Sequence, residues 1–167
     1  MSTLQRGSVA HGLVVALYAL VFYGALPAGL WGLARLLDGA LGWSLPPRPW
    51  AWALVAPAAA LHLLALSNLW IKGGGAPITA VPPPRFTAAG LYGFVRHPIY
   101  FTYNLLLPGF GLALGSGALA TALTLGFLPC WMLYATVEER FLVRRFGEPY
   151  LAYRRKVGLL PGLFKRA

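Results

Sequence analysis

The sequence predicts an all-α, polytopic membrane protein with about four transmembrane helices. Of its 167 residues, 58% are hydrophobic and only 11% are charged, whereas soluble domains carry about 25% charged residues. The apolar residues fall into four long runs, each near the length at which a helix crosses the hydrocarbon core of a bilayer. So much apolar surface needs lipid as its solvent, so we expect residues 1–167 to form a single membrane domain.

Each apolar run is expected to be one membrane-spanning helix. The four runs are Gly12–Leu37, Trp50–Ile71, Ile99–Gly115 and Ala118–Val137. Pro27 and Gly29 are expected to kink or end the first helix, and the Gly- and Pro-rich stretch Asp38–Pro49 is expected to be a loop. The third run is at the short end of what spans a bilayer. A Gly-Ser-Gly turn at residues 115–117 predicts that the last two helices form a hairpin.

The basic residues predict how the helices are oriented. Of the 14 Lys and Arg residues, only Arg35 and Arg48 fall on the side opposite the two termini and the loop 72–96. Lys and Arg collect in cytoplasmic loops, so an integral, multi-pass protein with both termini in the cytoplasm is predicted. The basic residues flank apolar runs, and we therefore expect the lipid bilayer to be their partner, with no nucleic acid involved.

A histidine lies at the predicted start of the third helix. Arg96 and His97 precede Pro98, which suits the first turn of a helix. Free N–H groups and the helix dipole make such a position a site for an anion or carboxylate. Tyr100 would lie one turn further on, and Tyr92 stands in the loop that leads to the site. A purely structural, hydrogen-bonding role for His97 is the alternative.

Two of the four acidic residues, Glu138 and Glu139, stand side by side where the fourth run ends. A charge near hydrocarbon is costly, and an ionisable residue there is by default a candidate for function. The two side chains would lie about 100° apart around a helix. We therefore expect one to face a pocket, and the other to pair with Arg140, Arg144 or a headgroup.

Other sites are not predicted. The histidines His11, His62 and His97 lack metal-ligand spacing, so no metal is expected, and no phosphate-binding glycine loop follows a strand. His62 and Asn68 lie inside the second run and are expected to hydrogen-bond between helices. The tail from Glu138 to Tyr153 is helical in pattern, and its basic residues would meet anionic lipid.

The loop, hairpin and tail resemble one family of membrane enzymes. A G-x-Y-x-x-x-R-H-P-x-Y block begins at Gly90, and an E-E-x-x-L-x-x-x-F-G-x-x-Y-x-x-Y block begins at Glu138. Together they are similar to the isoprenylcysteine carboxyl methyltransferase and phospholipid methyltransferase superfamily. The resemblance covers residues 73–163, about half of the chain.

The resemblance implies S-adenosylmethionine as methyl donor, held in a cytoplasmic pocket that the proline-rich loop and the C-terminal helix close. Residues 1–71 would then be N-terminal spans, and residues 72–167 would supply the cofactor-binding loop, the hairpin and the tail. For an amine or hydroxyl acceptor, His97 or Glu139 is the candidate general base. By position, the family's cofactor contacts fall on Pro84, Arg85, Phe86, Thr87, Tyr92, His97, Pro98, Ile99, Tyr100 and Glu138.

Two departures from the family pattern bear on the methyl acceptor. Members that methylate isoprenylcysteine have an Arg four residues before the first Glu, where it contacts the substrate carboxylate, and this chain has Tyr134 there. The Gly usual two residues after Tyr100 is Thr102. Tyr134 is thus a candidate substrate-binding residue for a small or lipophilic acceptor without a carboxylate. A membrane reductase that uses NADPH, or a non-catalytic lipid-binding protein, are the alternative functions.

Overall fold

The computed structural model describes residues 9–75 and 83–160, and these residues form five helices. They are α1 (Val9–Leu41), α2 (Pro49–Gly73), α3 (Pro98–Leu114), α4 (Leu119–Phe146) and α5 (Glu148–Lys156). A 3-10 turn, Gly90–Gly93, lies in the segment before α3. Within these ranges there is no β-strand, only an isolated bridge between Ser44 and Ser116. The all-α prediction is confirmed for this part of the chain, and the predicted loop residues 76–82 lie outside it.

Three of these helices are long and apolar enough to cross a membrane: α1 with 33 residues, α2 with 25 and α4 with 28. The helix α3 has 17 residues and is shorter than these three. The described helices expose many leucines and tryptophans. A lipid-facing surface requires such side chains, because lipid rather than water surrounds it. The protein is therefore an integral membrane protein with at least three helices of spanning character among the described residues.

The first helix is longer than the sequence predicted. Pro27 does not end it: a π-helical turn, Val21–Ala25, precedes the proline, and the helix resumes and runs to Leu41. Such a turn rearranges the backbone hydrogen bonds next to a proline, which has no N–H to give. Asp38, predicted to lie in the loop, is instead inside the helix and buried. The left-handed Gly42 ends it, with φ of 66°.

The predicted hairpin is present, and it is tightly packed. A Cβ added at Gly111 in α3 would lie 2.4 Å from the backbone nitrogen of Ala120 in α4, so only a glycine lets the two helices approach this closely. The Asp38 carboxylate accepts a hydrogen bond of 2.9 Å from the Ala118 backbone N–H. It thereby satisfies one of the free donors at the start of α4 and ties α1 to the hairpin.

The fourth helix continues beyond the predicted membrane boundary at Val137. It carries Glu138 and Glu139 within one continuous helix that ends at Phe146. Gly147, with φ of 61°, breaks the chain direction, and α5 follows. The break lets α5 fold back onto the segment before α3, where it helps to form the site described next.

Candidate functional site

The segment 83–97 is attached to the end of α2. The Arg85 side chain donates a 3.0 Å hydrogen bond from Nε to the carbonyl of Lys72, one of the carbonyls that a helix leaves unpaired at its C-terminus. Gly90, with φ of 59°, packs against Asn68: a Cβ added there would lie 2.3 Å from Asn68 Nδ2. This close approach explains the glycine that opens the G-x-Y block.

The helix α5 and the residues after it pack on the other side of the same segment. The Tyr153 hydroxyl donates a 2.7 Å hydrogen bond to the Tyr92 carbonyl, and the Arg96 backbone N–H donates a 3.0 Å bond to the Gly158 carbonyl. The ring of Phe86 lies 5.0 Å from that of Tyr153 and 5.7 Å from that of Tyr150, measured between centroids. The two segments therefore form one continuous wall.

A cavity lies between this wall and the helix ends of α3 and α4. Ten of its fifteen lining side chains are apolar or aromatic, and the other five are polar or charged. The lining residues are Leu69, Pro83, Arg85, Phe86, Thr87, Tyr92, Arg96, His97, Ile99, Tyr100, Glu138, Leu142, Phe146, Tyr150 and Tyr153.

The carboxylate of Glu138 faces this cavity. Its Oε2 accepts a 2.8 Å hydrogen bond from the Tyr100 hydroxyl and lies 3.5 Å from His97 Nδ1. The rings of His97 and Tyr100 are stacked, with centroids 5.5 Å apart, so both partners approach the carboxylate from the same turn of α3. The result is an oriented carboxylate in a cavity whose lining is mostly apolar and aromatic.

Glu139 points to a different set of partners. Its Oε1 lies 2.9 Å from Arg96 Nη1 and 3.4 Å from His97 Nε2, and its Oε2 lies 3.8 Å from Arg154 Nη1. The side chain is buried and is not among those that line the cavity. The prediction that this carboxylate pairs with Arg140 or Arg144 was therefore wrong. The residue that turns away from the cavity joins α4 to the start of α3 and to α5.

His97 thus lies between two carboxylates, one at each ring nitrogen. Burial alone lowers the pKa of an imidazole, but the hydrogen bonds and charges of Glu138 and Glu139 outweigh it, and the pKa of His97 is raised above its ordinary value. Two flanking carboxylates favour the protonated ring because each nitrogen can then donate. This environment suits a residue that holds charges in place better than one that removes a proton at neutral pH.

Two tyrosines of α5 contribute hydroxyl groups to the wall. Burial raises the pKa of Tyr150 and of Tyr153, so both hydroxyls stay protonated and can donate hydrogen bonds. The Tyr153 hydroxyl donates its hydrogen bond to the Tyr92 carbonyl. The Tyr150 hydroxyl is buried without a hydrogen-bond partner among the described residues. A buried hydroxyl costs free energy when it is unpaired.

The structure brings most of the sequence-predicted site residues together. Eleven residues were predicted to contact the cofactor or the substrate. Eight of them line the cavity: Arg85, Phe86, Thr87, Tyr92, His97, Ile99, Tyr100 and Glu138. Pro84 is exposed next to the lining residue Pro83, and Pro98 is buried behind the wall in the first turn of α3. Tyr134 lies outside the cavity, with its ring 5.7 Å from that of Tyr100.

Several cavity-lining residues were not among the predicted contacts. Leu142, Phe146, Tyr150 and Tyr153 belong to the second motif block, and their places in it were the available signal. The spacing from Glu138 to Leu142 to Phe146 is one helical turn at each step, which puts the three on one face. Nothing in the sequence pointed to Leu69, whose contact with the cavity depends on how α2 ends.

A second, apolar groove lies between α1 and α2. The α1 side chains on it are Val15, Tyr18, Ala19 and Tyr23, and those of α2 are Leu66, Ser67, Trp70 and Ile71. Leu69 lines the first cavity while its neighbour Trp70 lines the groove, so the last turns of α2 separate the two. The groove opens between two helices that are long and apolar enough to cross a membrane.

Comparison with known proteins agrees with the resemblance seen in the motifs. The family model for phospholipid methyltransferase matches residues 78–149. Methanethiol S-methyltransferase 1 of Bradyrhizobium diazoefficiens is 39% identical over 82 residues, which are 47% of this chain and 26% of that protein. Methanethiol S-methyltransferase of Mycobacterium tuberculosis is 29% identical over 165 residues, 95% of this chain and 64% of that protein.

A third relative has a different acceptor in its name. Protein-S-isoprenylcysteine O-methyltransferase of Schizosaccharomyces pombe is 34% identical over 68 residues, 41% of this chain and 29% of that protein. No solved structure gives a significant match. The chain thus spans less than two thirds of the length of each of these relatives. The matches agree on integral membrane methyltransferases as the family.

Proposed function

We propose that the chain, whose residues 78–149 match the family model for phospholipid methyltransferase, transfers a methyl group from S-adenosylmethionine to a small or lipophilic acceptor in the membrane. One observation carries the proposal. The Glu138 carboxylate is oriented by Tyr100 inside a cavity whose other walls are largely aromatic. The family supplies the reaction class, and the cavity supplies a place for the donor.

The residues of the cavity fit S-adenosylmethionine chemically. The aromatic side chains Phe86, Tyr150 and Tyr153 offer surfaces for an adenine ring, and the Tyr150 hydroxyl lacks a partner among the described residues. Glu138 can accept hydrogen bonds from ribose hydroxyls or an amine, and its charge favours a nearby cation. When bound, the donor supplies a methyl group on a sulfonium cation, whose charge is lost on transfer. A water-poor site favours such a loss of charge.

We assign positioning roles to the predicted catalytic residues His97 and Glu139. His97 lies 3.5 Å from Glu138 and 3.4 Å from Glu139, and these carboxylates raise its pKa, which favours the protonated ring over a free base. Glu139 is held by Arg96 at 2.9 Å. His97 therefore orients the carboxylate of Glu138, and Glu139 joins α4 to the start of α3. A thiol reacts as its thiolate, so an uncharged thiol must first release its proton to water; the sulfur then takes the methyl group, and the donor leaves as the neutral thioether.

A small thiol is the acceptor class that we favour. Two of the relatives are named methanethiol S-methyltransferases, and Tyr134 replaces the Arg that would pair with a prenylcysteine carboxylate. We propose that the acceptor approaches from the bilayer along the apolar groove between α1 and α2, where Trp70 lines the groove and its neighbour Leu69 lines the donor cavity. An apolar route suits an uncharged thiol or a lipid, because neither loses much hydration on entering it.

The proposed topology has four spans with both termini in the cytoplasm. The 17-residue helix α3 would be the shortest of them, and its tight contact with α4 at Gly111 covers much of its surface. In a variant with Cys130 replaced by Ser, single cysteines at Ser2 and Ala167 should be labelled only from the cytoplasmic side. Labelling of either one from outside would rule out this topology.

Methyl transfer is tested directly with the purified protein in detergent. Radiolabelled S-adenosylmethionine is offered with methanethiol and longer alkyl thiols, with a lipid amine, and with a farnesylcysteine analogue. Transfer to the thiols is expected, and transfer to the farnesylcysteine carboxylate is not. Absence of transfer to every acceptor, together with tight binding of NADPH, would show that the methyltransferase proposal is wrong and favour a reductase.

The acceptor route has its own test. Leu66→Trp should narrow the groove, raise KM for the thiol and leave binding of S-adenosylhomocysteine unchanged. Leu63→Trp is the matched control, because Leu63 lies one turn earlier in α2 and is 63% exposed. Equal kinetics for the two variants would exclude the groove as the route.

A further inference from the structure

A row of hydrogen bonds crosses three helices next to the donor cavity. The Tyr23 hydroxyl of α1 lies 3.0 Å from His62 Nε2 in α2, and His62 Nδ1 lies 2.9 Å from Thr102 Oγ1 in α3. The Thr102 hydroxyl in turn donates a 2.7 Å bond to the Pro98 carbonyl. His62 and Thr102 are 5% and 2% exposed, so the middle of the row is shielded from solvent and lipid.

The row has a single direction. The one hydroxyl proton of Thr102 goes to the Pro98 carbonyl, so Thr102 Oγ1 must accept from His62 Nδ1–H. In a neutral imidazole with its proton on Nδ1, Nε2 accepts from the Tyr23 hydroxyl. All three side chains have partners, and a buried polar network whose members are all satisfied holds one arrangement of the helices.

The row ends on the turn that carries the donor cavity. Pro98 stands between His97 and Ile99, and Thr102 lies one helical turn after it. Ile99 lines the cavity, as does Tyr100, which orients Glu138. A side-chain bond to the carbonyl four residues earlier bends a helix locally. The backbone of this turn is therefore linked to His62 in the neighbouring helix.

We propose that His62 and Thr102 are positioning residues for the methyl donor: through the Pro98 carbonyl they fix the first turn of α3, and thereby the places of Ile99 and Tyr100 in the cavity. The inference rests on the proposed function. It also gives a role to Thr102, which replaces the glycine usual at this place in the family pattern, because a glycine has no hydroxyl to join His62 to Pro98.

The test compares three threonine variants by calorimetry with S-adenosylhomocysteine and by thermal unfolding in detergent. Thr102→Val removes the hydroxyl at nearly constant volume and should weaken binding about tenfold, the upper range for one lost hydrogen bond. Thr102→Ser keeps the hydroxyl and should stay within about twofold of the wild type. Thr121→Val is the matched control, because the Thr121 hydroxyl makes the same kind of bond, 2.8 Å to the Gly117 carbonyl, away from the cavity.

Kinetics separate positioning from general loosening of the fold. Thr102→Val should raise KM for S-adenosylmethionine more than KM for the thiol, with Thr102→Ser restoring both. Tyr23→Phe removes only the outer hydroxyl of the row and should raise KM for S-adenosylmethionine by a smaller factor. This variant replaces Thr102→Val in the test if Thr102→Val does not fold. If the wild type binds S-adenosylhomocysteine and either Thr102→Val or Tyr23→Phe binds it with the same affinity, this inference alone is overturned. No binding by the wild type would overturn the proposed function and this inference together.

Discussion

Replacing Glu139 by Gln should destabilise the protein far more than it weakens donor binding. The Glu139 carboxylate is buried and lies 2.9 Å from Arg96 and 3.4 Å from His97. The amide would leave Arg96 without its carboxylate partner and His97 with Glu138 alone, and removing one member of a buried ion pair costs about 3–5 kcal/mol. Because this side chain does not line the cavity, the remaining folded protein should bind S-adenosylhomocysteine with little loss.

The assay is thermal unfolding in detergent, followed by tryptophan fluorescence, with Glu148→Gln as the matched control. Glu148 also forms an ion pair with an arginine, Arg155, but its side chain is 69% exposed. Exposed pairs contribute about 0–1 kcal/mol, so the control should unfold near the wild-type temperature. Equal unfolding temperatures for the two variants would refute the view that Glu139 joins α3 and α4 by a buried charge.

Two further predictions concern pH and the acceptor. The pKa of His97 is raised in the folded protein, so the stability that its protonated ring provides is fully present below its unfolded pKa of about 6.5 and is lost as pH rises through the folded value. The unfolding temperature of His97→Gln should therefore lie furthest below the wild type near pH 6 and approach it at alkaline pH, and a gap that widens with pH would contradict this. Tyr134→Phe should keep donor binding but change kcat/KM for the thiol acceptor, since Tyr134 lies beside Tyr100 and outside the donor cavity. Steady-state methyl transfer measures this change. Kinetics identical to those of the wild type would exclude a contact between the Tyr134 hydroxyl and the acceptor.

The parts of the fold that could be predicted are those with a periodic or local signal. The apolar runs predicted the helices, and residues 115–117 predicted the hairpin turn. The end of the first helix could not be predicted, because Asp38 looks like a loop residue in sequence. Its carboxylate is instead satisfied by the Ala118 backbone N–H, which stands 80 residues further along the chain. Tertiary partners of this kind leave no local pattern.

The candidate site divides in the same way. Motif spacing placed His97, Tyr100 and Glu138 together, and the helical angle between neighbours separated Glu138 from Glu139. The partners of Glu139 were mispredicted because Arg140 and Arg144 are near in sequence, whereas Arg96 comes near only when α3 packs on α4. The role of His62 in joining helices was predicted and is confirmed by its bonds to side chains of two other helices.

The central claim is that the cavity around Glu138 holds the methyl donor, and calorimetric titration with S-adenosylhomocysteine tests it most directly. The wild type should bind. Glu138→Gln should weaken binding by about 1.5–3 kcal/mol, the range for a lost hydrogen bond to a charged group, and Glu148→Gln should bind as the wild type does. Equal affinities for the wild type and Glu138→Gln, or no binding by either, would contradict the claim.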